Sequence, residues 1–149
     1  MTISFAGHSF VPFVDEVKEK VKEEMRKSID GAELVTCYLG GYGSFDALCA
    51  RACKEIKKEH EGIEIVYVAP YIGDTRLEEI ERSGLYDATV YPPIENTPPR
   101  LAIIKRNEWM MEKADIVIAY VKYERGGAYR TLLAARKKKR RIINICGLL

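Results

Sequence analysis

The segment Gly40-Gly41-Tyr42-Gly43-Ser44-Phe45-Asp46 sets three glycines, a hydroxyl and a carboxylate within one short stretch. An apolar run, Leu34 to Leu39, precedes it and reads as a buried strand; the amphipathic segment after it reads as a helix. A glycine-rich turn between strand and helix lets backbone N–H groups face an anion at the positive end of the helix dipole. The chemistry this predicts is the holding of a phosphate-bearing ligand. Gly40, Gly41, Gly43 and Ser44 supply N–H groups, and Ser44 also a hydroxyl. The same residues also suit a turn that merely fits the fold. Asp46 reads either as a partner for a ribose hydroxyl or an amine, or as a carboxylate complementing the helix dipole.

A second glycine pair, Gly126-Gly127, follows a later strand and opens another helix, with Thr131 and Arg130 close behind. Arg125 and Arg130 suit phosphate because a guanidinium pairs bidentately, and they suit solvent equally well. Gly7-His8-Ser9 follows the first strand. Ser9 is expected to cap the next helix, and His8 to bond a phosphate or base or to move a proton, with a structural polar contact as the alternative. Arg106 and Asn107 precede the strand that begins at Asp115. Trp109, Met110 and Met111 read as core or dimer packing ahead of base stacking. Tyr91, Glu95, Asn96 and Arg100 belong to an unusual proline-rich loop that reads either as closing over a ligand or as a disordered or purely structural segment.

These residues need a frame that gathers them. Apolar runs at Thr2–Ala6, Leu34–Leu39, Ile63–Ala69, Asp115–Val121 and Arg141–Cys146 read as strands. Between them, apolar residues recur at helical spacing, as in Val14, Val17, Val21, Met25 and Ile29, or Phe45, Leu48, Ala52 and Ile56. Thr75-Arg76-Leu77-Glu78 resembles a capping box, and Tyr86–Tyr91 reads as strand or extended loop. Further helices are expected near Arg100–Lys113 and Ala128–Lys139. Strands alternating with helices predict an α/β, Rossmann-like three-layer sandwich around a mostly parallel sheet of about five strands. Ligands in such sheets bind beyond the carboxyl ends of the strands, where each of the turns above lies.

The chain has 149 residues, 47% hydrophobic and 31% charged, with a formal net charge of +2. That length predicts one domain over 1–149. The small net charge is too low by itself to argue for nucleic acid, which is expected to be an unlikely partner. No apolar run approaches the roughly 18 residues of a membrane span, so no membrane partner is expected. Cys37, Cys49, Cys53 and Cys146 read as reduced thiols in a cytoplasmic protein, with no metal site and no cofactor expected. The one strong charge run, Lys137 to Arg141, sits at a helix C-terminus, where cations are favourable; a nucleic-acid patch is the lesser reading.

Four pieces together resemble the SLOG superfamily, in particular its YpsA-like branch. They are Ala6-Gly7-His8-Ser9, the Gly40–Asp46 turn, the run from Arg106 to Val121, and Gly126 to Ala135. The resemblance implies a Rossmann-like domain that binds nucleotides or nucleotide-derived molecules. That superfamily holds phosphoribohydrolases, DNA-processing proteins that bind single strands, and sensors of ADP-ribose derivatives. The phosphoribohydrolase motif has proline before its two glycines and a catalytic glutamate after them. Here Arg125 stands for the proline and Leu133 for the glutamate, so that mechanism is not carried over.

The expected function is therefore non-catalytic binding of a nucleotide-derived small molecule, as a sensor or sequestering protein. Two alternatives stand beside it. One is an enzyme cleaving an N-glycosidic or phosphate bond, with Asp46, His8, Glu95 or Glu108 as acid or base. The other is a single-strand binder of the DNA-processing type. A homo-oligomer is expected, with the residues around Trp109 as its surface.

Overall fold

The computed structural model describes all 149 residues. Six strands form one sheet: β1 (Thr2–Gly7), β2 (Val35–Leu39), β3 (Ile63–Val68), β4 (Ala88–Val90), β5 (Ile116–Tyr120) and β6 (Arg141–Asn144). The order across the sheet is β4-β3-β2-β1-β5-β6, and every neighbouring pair is parallel. The helices are α1 (Val14–Ile29), α2 (Gly43–Lys57), α3 (Leu77–Arg82), α4 (Pro99–Lys113) and α5 (Gly126–Lys137). This is the Rossmann-like α/β architecture that the alternation of elements predicts. The sixth strand is the short edge strand β4, within the stretch whose sequence read as strand or loop.

Parallel strands buried on both faces need apolar residues at successive positions, and β5 is buried throughout. One face carries α1 and α2, whose Val17, Val21, Met25, Phe45, Leu48 and Ile56 enter the larger core. The other carries α4 and α5, packed through Met110, Met111, Leu132 and Ala135. The chain steps outward from β1 to β4, then crosses back to β5 on the other side of β1. The carboxyl ends of β1 and β5 thus diverge into turns on opposite faces, and a crevice opens between them. No helix is long and apolar enough to cross a membrane.

Three local expectations are corrected. Ser9 does not cap α1, which begins at Val14 after Phe13 in the left-handed region (φ 54°). Thr75 does not cap α3; the Asp74 carboxylate accepts the Arg76 N–H at 3.1 Å, and the Asp74 carbonyl accepts that of Leu77. The last strand ends at Asn144, two residues early, and Cys146 lies in a 3-10 turn. The Asn144 amide exchanges two hydrogen bonds with the backbone of Val121 (3.2 and 3.0 Å), replacing the next ladder step by a side-chain pair.

Candidate functional site

A cavity of about 530 Å³ opens at the divergence of β1 and β5. Its floor is the end of β1 and the turn that follows, from Phe5 through Gly7 to Ser9. One wall is α4, through Ile103, Arg106, Asn107 and Met110, and another is the start of α5, from Gly126 to Thr131. Gly40, Tyr42 and Asp46 close the third side.

Ten of the expected site residues therefore meet at one cavity: Gly7, His8, Ser9, Gly40, Asp46, Arg106, Asn107, Gly126, Gly127 and Thr131. Gly41, Gly43, Ser44 and Arg130 are not among the residues lining it. Gly41 turns toward the interior, where a Cβ would meet the Tyr67 ring at 2.7 Å. Gly43 has φ 87° and lies against Ser9, and the Ser44 N–H already donates to the Ser9 carbonyl at 2.8 Å. The turn before α2 is thus largely occupied by the protein itself.

Arginines hold that turn from behind. Arg106 is only 2% exposed; its Nη1 donates to the carbonyls of Gly40 (3.1 Å) and Val68 (2.8 Å), and its Nε to Asn107 Oδ1 (2.8 Å). Its remaining Nη2 makes no hydrogen bond to the protein, in a side chain that lines the cavity. A Cβ at position 40 would lie 2.9 Å from the Arg106 Cζ, so glycine is what admits the guanidinium. Arg76 donates to the carbonyls of Gly40 and Gly41, both at 3.1 Å, and to the Tyr67 hydroxyl, which in turn donates to Asp74. Nothing in the spacing of Arg76 pointed to this role.

The titratable groups are tuned by burial. Asp46 keeps some contact with solvent in the cavity, yet desolvation pushes its carboxyl up to about 6. Arg106, Arg76 and the Tyr42 N–H (3.3 Å) only partly oppose that. Desolvation also lowers Arg106 from its ordinary value. His8 is lowered by burial, and its Nε2 accepts the Lys122 N–H at 2.8 Å. That bond fixes a neutral ring with the proton on Nδ1, so His8 anchors the turn after β5. It leaves no cationic imidazole for a phosphate.

The start of α5 is different. Like α2 it has no side-chain cap, but its first turn holds no acidic residue. Its first N–H groups lie beyond the reach of helical partners and stand at the cavity through Gly126, Gly127 and Ala128. Thr131 Oγ1 donates back to the Gly127 carbonyl at 3.0 Å. Leu133 is 42% exposed and lies outside the cavity, so the position compared with the family's glutamate does not face this site.

Aromatic side chains stand at the rim. Phe10 is 76% exposed, Tyr42 66% and Tyr123 51%. Arg76 lies over the Tyr42 ring at 5.3 Å, and Arg125 and Lys122 over Tyr123 at 5.5 and 5.7 Å. Tyr42 lies inside the first glycine motif without being marked by it, and Phe10 and Tyr123 carried no signal. The group around Trp109 is not an exposed surface. Met110 and Met111 are buried, and Trp109 packs against Tyr38 at 5.2 Å with Lys113 above it.

No family model matches the chain, and no curated protein matches it in sequence. Solved structures do match in fold. DNA processing protein A (DprA) from Streptococcus pneumoniae aligns over 95% of this chain with a TM-score of 0.64 at 16% identity. DNA processing protein A from Helicobacter pylori aligns over 95% with a TM-score of 0.62 at 13% identity. The chain spans 48% and 63% of those two proteins' lengths. The Helicobacter protein is described by its single-stranded DNA binding mode. The expectation that nucleic acid is an unlikely partner does not stand beside these neighbours, and its physical weakness is plain. The net charge averages a strongly uneven distribution: residues 99–149 hold thirteen Lys and Arg against four Asp and Glu. The chain shares its fold with these two DNA-processing proteins.

Proposed function

We propose that this protein binds single-stranded nucleic acid, seating a nucleotide unit in the crevice between β1 and β5. The observation that carries the reading is the rim. Exposed Tyr42, Tyr123 and Phe10, two of them beneath arginines, surround an uncapped helix N-terminus. Stacking faces beside backbone anion donors are what a sequence-tolerant single-strand site requires. The phosphate meets the N–H groups of α5 and the free Nη2 of Arg106, while bases stack on the tyrosines. Asp46 offers a carboxylate to an amino or hydroxyl group. The likeness to DNA processing protein A supports this reading, and the four motif pieces suggest a YpsA-like placement within the superfamily.

A second reading keeps one observation of its own. About 530 Å³ is the size of a cavity that holds a whole small ligand, so a free nucleotide or ADP-ribose-like molecule also fits. Fluorescence anisotropy with oligothymidylate separates the two. Single-strand binding predicts saturable binding that weakens steeply with salt and falls when Tyr42 and Tyr123 become alanine. The small-ligand reading predicts no such binding, together with a thermal shift on adding ADP-ribose or a nucleotide.

A further inference from the structure

We infer that a nucleic-acid strand does not end at the cavity but continues along the exposed face of α5, over a cationic track running from Arg130 to Arg141 at the opposite edge of the sheet. The inference rests on the single-strand reading above. Arg130, Lys137, Lys138, Lys139 and Arg141 are all exposed. None takes part in an ion pair of this molecule. The lysines of α1 behave otherwise: Lys18, Lys20, Lys22 and Lys27 each lie within 3.5 Å of a glutamate.

Helix-dipole stabilisation accounts for only part of the track. It favours cations in the last turn, at Lys137, but not Arg125 at the N-cap or Arg130 early in the helix. Arg125 lines the cavity, and Arg130 begins the track beyond it. Helical geometry places Arg130 and Lys137, seven positions apart, on one face, with exposed Leu133 between them. Lys139 adopts φ 57°, a left-handed position after a helix where glycine is the usual residue. The chain therefore sets a lysine where conformational preference calls for glycine. Arg140 ties this end down, donating to the Glu112 carbonyl at 2.7 Å. Twelve helical residues span about 18 Å, so the track lengthens the footprint beyond the nucleotides seated in the cavity.

The test compares oligothymidylates of about four and about sixteen nucleotides. It uses the intact protein and a variant carrying Lys137→Gln, Lys138→Gln, Lys139→Gln and Arg141→Gln. Melting temperature confirms that the variant is folded. The expected result is unchanged affinity for the short oligomer and at least tenfold weaker binding of the long one, an estimate of roughly that size for several phosphates left without a cation. The slope of log affinity against log salt should fall by about 0.7 for each phosphate no longer neutralised. Equal affinity and slope for the long oligomer in both proteins would overturn the track and leave the cavity reading intact. Binding of the long oligomer alone, abolished in the variant, would keep the track and overturn the cavity reading. Binding of neither oligomer by the intact protein would overturn both.

Discussion

The two glycine turns at the crevice look alike in sequence and are built for different work. The turn before α2 is closed by the protein itself. Ser9 takes the Ser44 N–H, Arg76 and Arg106 take the carbonyls of Gly40 and Gly41, and Asp46 takes the Tyr42 N–H. The turn before α5 has no acidic residue in its first turn and nothing within 4 Å of a Cβ built on Gly126 or Gly127. Glycine in the first turn admits neighbouring protein atoms; in the second it leaves room for something from outside. A double glycine between strand and helix is therefore not one signal but two, separated by what stands opposite it.

The strongest way to break this comparison is to put a carboxylate at the open turn. Gly127→Asp has space for its side chain and suits a helix N-terminus, so the fold should tolerate it. An anionic ligand would then face a like charge, and oligothymidylate affinity should drop about a hundredfold by anisotropy, with the melting temperature unchanged or raised. Unchanged affinity would mean that the α5 terminus is not where the anion sits.

The closed turn should respond in the opposite manner. Gly43→Ala forces a Cβ to within 2.7 Å of the Ser9 Cα at a φ of 87°. Stability should fall by roughly 2–3 kcal/mol in urea unfolding, while the protein that remains folded keeps its ligand affinity. A variant of native stability would show that this turn is looser than its contacts imply.

Tyr123→Ala sharpens the comparison at the rim of the open turn. Loss of one stacking face should weaken oligonucleotide binding by about 1–2 kcal/mol, without affecting an isolated phosphate. Equal loss toward inorganic phosphate would point to disturbance of the His8-anchored turn instead.

The smallest effect lies in Asp46, and its sign follows from its raised pKa. The native state holds this proton up to about pH 6, whereas an unfolded carboxyl releases it near 3.8. Stability therefore falls as pH rises between those values, and the deficit is complete above them. Asp46→Asn should gain on the order of 1–2 kcal/mol at pH 7–8, after allowing for partial solvent contact, and nothing below about pH 4. A gain that persists at pH 4 would mean the carboxylate is not the source of the deficit.

Much of the frame was legible in the chain because parallel strands buried on both faces must be apolar without interruption, as Ile116–Tyr120 is. The turns were legible because glycine and proline mark where such strands stop. What escaped was relation in space. Asp74, Tyr67 and Arg76 act together on the first glycine turn, yet no local pattern joins a residue in β3 to a loop after β2. Leu133 could be aligned with a glutamate but not oriented, and its helix turns it outward. Charge was misread for the opposite reason: the numbers were in plain view, and summing over the whole chain erased them. Residues 1–98 carry eleven Lys and Arg against eighteen Asp and Glu, the reverse of the remainder.

That imbalance has a consequence before any contact is made. A molecule whose basic portion is gathered at α4, α5 and β6 carries a permanent dipole. In the field of a polyanion it experiences a torque as well as a pull. It would rotate during approach so that α5 leads, and a collision would begin near the productive orientation instead of searching for it. Added salt would then slow the encounter as well as weaken the complex, since the alignment acts only within about a Debye length.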